Sequence, residues 1–295
     1  MTGMKIGITG ASGLIGTALV PHLQAQGHTT VTFLRRPASL PDERQWDGTF
    51  LAPATVEDLD AVIHLAGAGV ADKRWSTAYK QTIRDSRVNG TKAVTNAVTK
   101  AGVPVLLSGS AIGFYGDTGS VLTDESGAQG QGFLADVCAA WEQATEGSTA
   151  RTVHLRTGIV LTAQGGALRK QLPIFKAGAG APLGSGQQYQ SWISLEDELR
   201  AITHLLTVDV EGPVNLVGPQ AVTNREFTKA LGRALHRPTL PVPIPGMLLR
   251  AALGQFAQEG VLVGQRLAPV VLERSGFTFA HPDLRSALEA GLAKQ

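Results

Sequence analysis

Gly10, Gly13 and Gly16 stand three residues apart, after an apolar run from Lys5 to Thr9 and across the start of an apolar-periodic segment that opens at Leu14. This spacing suits phosphate binding. Gly10 allows a tight turn, Gly13 lets a pyrophosphate approach the backbone, and Gly16 lets the following helix lie close to the strand. The helix start, through Ser12, Gly13, Leu14 and Ile15, offers free N–H groups and the positive end of the helix dipole. Arg35 and Arg36 stand at the end of the next apolar run. An NAD-preferring site carries an acid there for the ribose hydroxyls. A guanidinium instead pairs with a phosphate through two parallel bonds and lacks the carboxylate that would repel one. Together these residues predict binding of NADP(H).

Other residues could do chemistry further along. The run from Ala61 to His64 leads into Leu65-Ala66-Gly67, small enough for a ligand to lie against the carboxyl end of a strand. His64 itself, inside an apolar strand, reads as a core histidine. Ser108 and Ser110 end another apolar run, where a hydroxyl can bond a carbonyl or an alcohol. Arg84 and Arg87 are neighbours on one side of a helix. Trp192, in an otherwise polar piece, is the candidate substrate contact. Cys138, on an apolar helix face with Leu134 and Trp141, reads as an inert thiol. Tyr115 reads as a packing residue, and no metal is expected.

The elements that must position these groups alternate in type. Strands are predicted at 5–9, 31–34, 61–66, 103–107 and 152–155, with a small one near Trp46-Asp47. Helices are predicted from Leu14 to Gly27, across Ile83 to Val98, and from Phe133 to Glu146. This predicts an α/β fold, a doubly wound parallel sheet with a smaller carboxyl-terminal substrate lobe. Residues 1–164 are assigned to NADP(H) binding, with strands near 152–161 and 214–217 joining the sheet. Residues 165–295 are assigned to the substrate side. There Gly178 to Gly186 is too glycine-rich for regular structure. Ser194 should cap a helix with Asp197 in a capping box, and Asn224 should cap another. The prolines at 238, 241, 243 and 245 predict an extended crossing. Leu284, Leu288 and Leu292 mark a short amphipathic helix.

Bulk properties exclude several classes. With 43% hydrophobic and 17% charged residues in 295, the chain suits a soluble protein with a large core. Its net charge of +2 is scattered, so no nucleic-acid partner is expected. The single Cys138 excludes an internal disulfide and fits a reducing, cytoplasmic setting. A strand at the amino terminus leaves no room for a signal peptide. No apolar run reaches the ~20 residues of a membrane helix, so no membrane contact is expected. A monomer or homodimer acting on a small molecule is expected.

Thr9-Gly-Ala-Ser-Gly-Leu-Ile-Gly16, His64-Leu-Ala-Gly67 and Ser108-Gly-Ser-Ala-Ile-Gly-Phe-Tyr-Gly116 together resemble an extended short-chain dehydrogenase/reductase of the NAD-dependent epimerase/dehydratase type. The chain is similar to its atypical "epimerase family", or sugar nucleotide epimerase-like, subgroup. That likeness rests on Ala71-Asp-Lys-Arg-Trp75, Asp85-Ser-Arg87, Trp141-Glu142, Arg156-Thr-Gly-Ile-Val160, Gly184-Ser-Gly-Gln187 and Ser191-Trp-Ile193. Gly264-Gln-Arg266, Pro269 and Gly276-Phe277 extend it to the carboxyl-terminal piece. The resemblance implies NADP(H) contacts from Arg35, Leu65, Ala66 and Arg87, and an approach by Gly158 to Val160. It places at Ser110 the serine that bonds the reacting oxygen. It also implies a Tyr-x-x-x-Lys pair on the next helix. Counted back from Glu142, those positions hold Leu134 and Cys138, which supply neither the acid nor the cation. Two expectations follow. One is an NADP(H)-dependent oxidoreductase or epimerase-like enzyme on a small polar substrate without the usual dyad. The other is an NADPH-sensing regulator that turns over nothing.

Overall fold

The computed structural model describes residues 3–293. In chain order its elements begin with β1 (Lys5–Thr9), α1 (Leu14–Ala25), β2 (Thr29–Leu34), β3 (Glu43–Gln45), β4 (Ala61–His64), α2 (Thr77–Ala101), β5 (Val105–Ala111), α3 (Phe133–Gln143), β6 (Arg151–Thr157) and β7 (Ile159–Leu161). They continue with α4 (Gly166–Lys176), β8 (Tyr189–Gln190), β9 (Trp192–Ser194), α5 (Leu195–Thr207), β10 (Gly212–Leu216), β11 (Val222–Thr223), α6 (Asn224–Ala234), α7 (Gly246–Leu253), α8 (Val270–Arg274) and α9 (Leu284–Leu292).

Among the described residues, seven strands form one sheet in the order β10-β6-β5-β4-β1-β2-β3. The pairs β1–β2, β1–β4, β2–β3 and β4–β5 are parallel. The strand order reverses between β1 and β4, the place where doubly wound sheets bind ligands. Every residue of β4 is buried, as in a parallel strand covered on both faces. On α2, Ile83, Gly90, Val94, Ala97 and Val98 recur at helical spacing on the buried side. Ser76 caps this helix by accepting from Tyr79 N at 3.1 Å. The small third strand lies at 43–45, just before the expected Trp46-Asp47, because Gln45 is the residue that registers with Leu34 of β2.

The chain divides into two compact units whose segments interleave. The first holds residues up to 110, 137–156 and 199–214; the second holds 111–136, 157–198 and those from 215 onward. The core of the first includes Val31, Phe33, Val62, Val94, Val98 and Leu106. That of the second includes Leu161, Leu168, Phe175, Trp192, Phe227 and Leu288. In the second unit Ser194 Oγ accepts from Asp197 N at 3.0 Å, as expected. The expected cap at Asn224 belongs instead to Thr223. Its hydroxyl accepts from Glu226 N at 3.3 Å, and Glu226 Oε2 accepts from Thr223 N at 2.7 Å. A threonine with glutamate three residues on closes a reciprocal box that asparagine followed by Phe227 cannot close. Asn224 Oδ1 accepts from Leu183 N at 2.7 Å instead. The proline-rich stretch runs extended, bridging Gly180 at Thr239 and Leu183 at Ile244. Among the described residues no helix is long and apolar enough to cross a membrane.

Candidate functional site

A cavity of about 470 Å3 opens in the first unit at the strand reversal. Gly10, Ser12, Gly13, Arg35, Leu65, Ala66 and Gly67 all line it. Gly10 has φ +73°, and a Cβ there would lie 2.7 Å from the Leu65 backbone. A Cβ on Gly16 would lie 2.3 Å from Gly10 O, so the first turn of α1, with Leu14 and Ile15, packs directly on the glycine loop. Gly13 differs: a Cβ there would have only Gly10 O nearby, at 3.2 Å. The space in front of Gly13 is therefore open, as the approach of a phosphate requires.

The two arginines have separate fates. Arg36 gives Nη1 to Glu43 Oε2 at 2.9 Å and Nη2 to Oε1, and this pairing holds the Glu43 carboxyl down to about 2. Arg35 is exposed, lines the cavity, and has no side-chain partner among the described residues. One free guanidinium thus faces the crevice, and its neighbour braces the strand end.

Sequence reasoning missed part of the wall. Trp46, Asp47, Gly48 and Thr49 line the cavity, as do Thr82 and Ser86 from α2. Asp47 Oδ1 accepts from Thr49 N at 2.6 Å, Thr49 Oγ1 at 2.9 Å and Phe50 N at 2.6 Å, which keeps its carboxyl below the usual range. The available signal was the Asp-Gly pair, a turn former through its own side-chain bonds. Arg87 lies behind the wall. It donates to Ala68 O at 2.9 Å and Ile83 O at 3.1 Å, and its guanidinium stands 4.9 Å from the Trp141 ring centre. Burial lowers its pKa. His64 is fully buried with Nδ1 2.6 Å from Thr9 Oγ1, and burial pushes its pKa down to about 4. It is the neutral core histidine expected of an apolar strand.

The serines at the end of β5 also differ. Ser108 is fully buried, and its Oγ has no partner among the described residues. Ser110, 5% exposed, donates to Glu142 Oε1 at 2.6 Å. Arg156, 3% exposed, holds that same carboxylate with Nε on Oε1 at 2.8 Å and Nη2 on Oε2 at 2.8 Å. A carboxylate gripped by a guanidinium only accepts, so the single Ser110 proton points to Glu142. The Ser110 oxygen is left as an acceptor toward any ligand. In the sequence Glu142 marks only the count back to Leu134 and Cys138; the signal for its role is an acid on α3 and an arginine on β6.

The remaining candidates sit as follows. α3 carries Leu134 and Cys138, with no tyrosine or lysine. Cys138 is buried, and the buried Tyr115 donates to Asn215 Oδ1 at 2.7 Å, a packing role. Gly158, Val160 and Trp192 belong to the second unit. Gly158 N donates to Leu216 O at 3.0 Å. Val160 registers with Ile193 between β7 and β9. Trp192, 1% exposed, packs in the core with Leu161 and Phe227.

The pattern of the NAD dependent epimerase/dehydratase family matches residues 6–133, and a domain of unknown function (DUF1731) matches residues 244–290. An epimerase family protein of Mycobacterium bovis is 48% identical over 295 residues, 98% of this chain and 97% of that protein. The human epimerase family protein SDR39U1, crystallised with NADPH, is similar in structure with a TM-score of 0.89. It is 31% identical, covering 97% of this chain and 98% of that one. A UDP-N-acetylglucosamine 4-epimerase from Bacillus cereus, 18% identical, shares the fold at a TM-score of 0.75, over 97% of both chains.

Proposed function

The chain belongs to the epimerase family of these relatives, of the NAD-dependent epimerase/dehydratase type, and from that we propose that it binds NADP(H) and acts as an oxidoreductase or epimerase-like enzyme on a small polar substrate. One observation carries the reading: the open space before Gly13 and the unpartnered Arg35 guanidinium line the same cavity. Gly10, Ser12, Gly13, Leu14, Ile15 and Gly16 would hold the pyrophosphate. Arg35 would take the additional phosphate, with Arg36 bracing the strand end. Leu65, Ala66 and Gly67 would lie along the cofactor, supported by Arg87. Ser108, on β5, completes the proposed cofactor set of the first unit; contacts from Gly158 and Val160 are implied by the family resemblance alone. NADPH in the human relative's crystal supports this assignment.

When bound, the cofactor supplies hydride transfer. The chain's part is to orient the substrate, and Ser110 is the residue proposed to bond its reacting oxygen. Glu142 and Arg156 fix Ser110 as an acceptor, so an alcohol meets it better than a carbonyl does. Neither Leu134 nor Cys138 delivers a proton or a cation to the site. Residues 1–164 are proposed to serve the cofactor, with Ser110 also meeting the substrate, and 165–295 the substrate; Trp192, buried in the core with Leu161 and Phe227, would support that side by packing and not by touching the ligand.

Calorimetric titration with NADPH and NADH tests the cofactor. NADPH should bind tighter, and Arg35→Ala should remove ~10–150-fold of that preference, the value of a charge-assisted phosphate contact. Equal binding of both cofactors by the wild type would refute the phosphate reading. Stopped-flow measurements in both directions test turnover: oxidation of bound NADPH against aldehydes, ketones and nucleotide sugars, and reduction of bound NADP+ against small alcohols and polyols; no change with any of them argues for inert binding.

A further inference from the structure

Residues 244–290 match a domain of unknown function, and the reading above places them on the substrate side without naming a contact. Within the second unit this segment helps to line a cavity of about 270 Å3, separate from the glycine-turn cavity. The loop after β5 supplies Asp117, and the start of α3 supplies Leu134. The carboxyl-terminal segment supplies Arg250, Glu259 and Leu262. The volume lies just below the ~300–1,000 Å3 of pockets for drug-sized ligands, which suits a small molecule.

Glu259 stands on a π-helical turn, 257–261, a backbone form frequent at functional sites. Its Oε2 accepts from Leu134 N at 2.9 Å and its Oε1 from Gln255 Nε2 at 2.7 Å. Gly132, at φ +110°, admits this carboxylate: a Cβ there would lie 3.0 Å from Glu259 Oε2. Asp117 is likewise fixed, with Oδ1 accepting from Gly119 N at 2.9 Å and Gly264 N at 3.2 Å. Neither carboxylate has a cation within ion-pair distance among the described residues. Arg250 is exposed on α7, and its guanidinium has no partner among them. Each carboxylate oxygen keeps lone-pair capacity for a donor.

A guanidinium without an anion and carboxylates without a cation line one cavity with Leu134 and Leu262. A complementary ligand carries an anionic group, hydroxyl donors and a short carbon skeleton. We propose that this cavity binds a small anionic polyol, its charged group on Arg250 and a hydroxyl donated to Glu259. Leu134 is where the family resemblance puts a tyrosine. The group able to meet a ligand hydroxyl beside it is Glu259, fastened to the Leu134 amide. The proposal rests on the reading of a small polar substrate and names its class.

The test is calorimetry on the full chain saturated with NADPH. The probes are D-glucose 6-phosphate, D-gluconate, D-glucose and inorganic phosphate. At least one of the two anionic polyols should bind, and which one binds tells phosphate from carboxylate. Glucose and inorganic phosphate should bind at least ~10-fold more weakly. Arg250→Ala, at an exposed and unpartnered side chain, should lower the polyol affinity ~10-fold or more and leave NADPH affinity unchanged. Glu259→Gln should weaken the polyol too; circular dichroism checks that α3 keeps its first turn. The proposal is overturned if neither anionic polyol binds at millimolar concentration. It is equally overturned if binding survives Arg250→Ala, or if inorganic phosphate binds as tightly as the polyols. Should NADPH itself fail to bind, the cofactor reading falls, and the same titrations on the unloaded chain still decide the cavity.

Discussion

Replacing Glu198 by glutamine should remove a penalty that grows with pH. Glu198 is fully buried on α5. Thr157 Oγ1 donates to its Oε1 at 2.9 Å, and its Oε2 has no partner among the described residues. Burial pushes its carboxyl from 4.5 up to about 8, opposed only by the Thr157 bond. In the unfolded chain the same group ionises near its ordinary value. Between the two values the folded state holds a proton that the unfolded state has lost, so stability falls as pH rises. At ~1.4 kcal/mol per tenfold, the loss is about 1 kcal/mol at pH 5, about 3 at pH 7 and more than 4 above pH 8. That is a large part of a typical ~5–15 kcal/mol. Glu198→Gln keeps the acceptor for Thr157 and cannot ionise. Urea unfolding followed by tryptophan fluorescence at pH 5, 7 and 8.5 measures both proteins, and their difference cancels every other titrating group. The variant should lie within ~1 kcal/mol of wild type at pH 5 and be roughly 3 kcal/mol more stable at pH 7. A difference that stays constant across pH would show that Glu198 ionises normally, and the reasoning would fail.

Gly13→Val should abolish NADPH binding in calorimetry while circular dichroism stays that of the wild type, because the added side chain crowds only Gly10 O, at 3.2 Å, and otherwise enters the space a phosphate needs. Glu142→Ala leaves the buried Arg156 without its carboxylate and should cost about 3–5 kcal/mol in urea unfolding. Ser110→Ala keeps that pair and should cost only ~0.5–1.5 kcal/mol; equal losses would mean that the serine, not the pair, is the structural element. Cys138→Ala should lower stability by roughly 1 kcal/mol and leave NADPH affinity unchanged; a large loss of binding would make the thiol a site residue.

Much of the fold was legible because its signals are local. Apolar runs of strand length, each followed by a helical period, fix an alternating α/β order, and the reversal between β1 and β4 places the crevice. The errors were local as well. The cap went to Thr223 rather than Asn224 because the capping box needs its glutamate three residues on. The residues Trp46-Asp47 suggest a small strand, but the strand ends at Gln45 and the Asp47 side chain orders a turn beyond it. α7 and the turn carrying Glu259 gave no pattern, and α7 buries none of its residues.

The glycine turn, the parallel strands beside it and the identity of the candidate groups were determined by the sequence alone. A positive φ, a close helix approach and an apolar strand are properties of neighbouring residues. Other matters only the tertiary structure decided: which of two adjacent arginines stays free, which acid takes the Ser110 proton, and which carboxylate stands beside Leu134. The partners that settle them are Glu43, 7 residues from Arg36, Glu142, 32 from Ser110, and Glu259, 125 from Leu134. Hydrogen bonds and ion pairs act over a few ångströms of space, and sequence separation carries no record of that distance until the chain has folded.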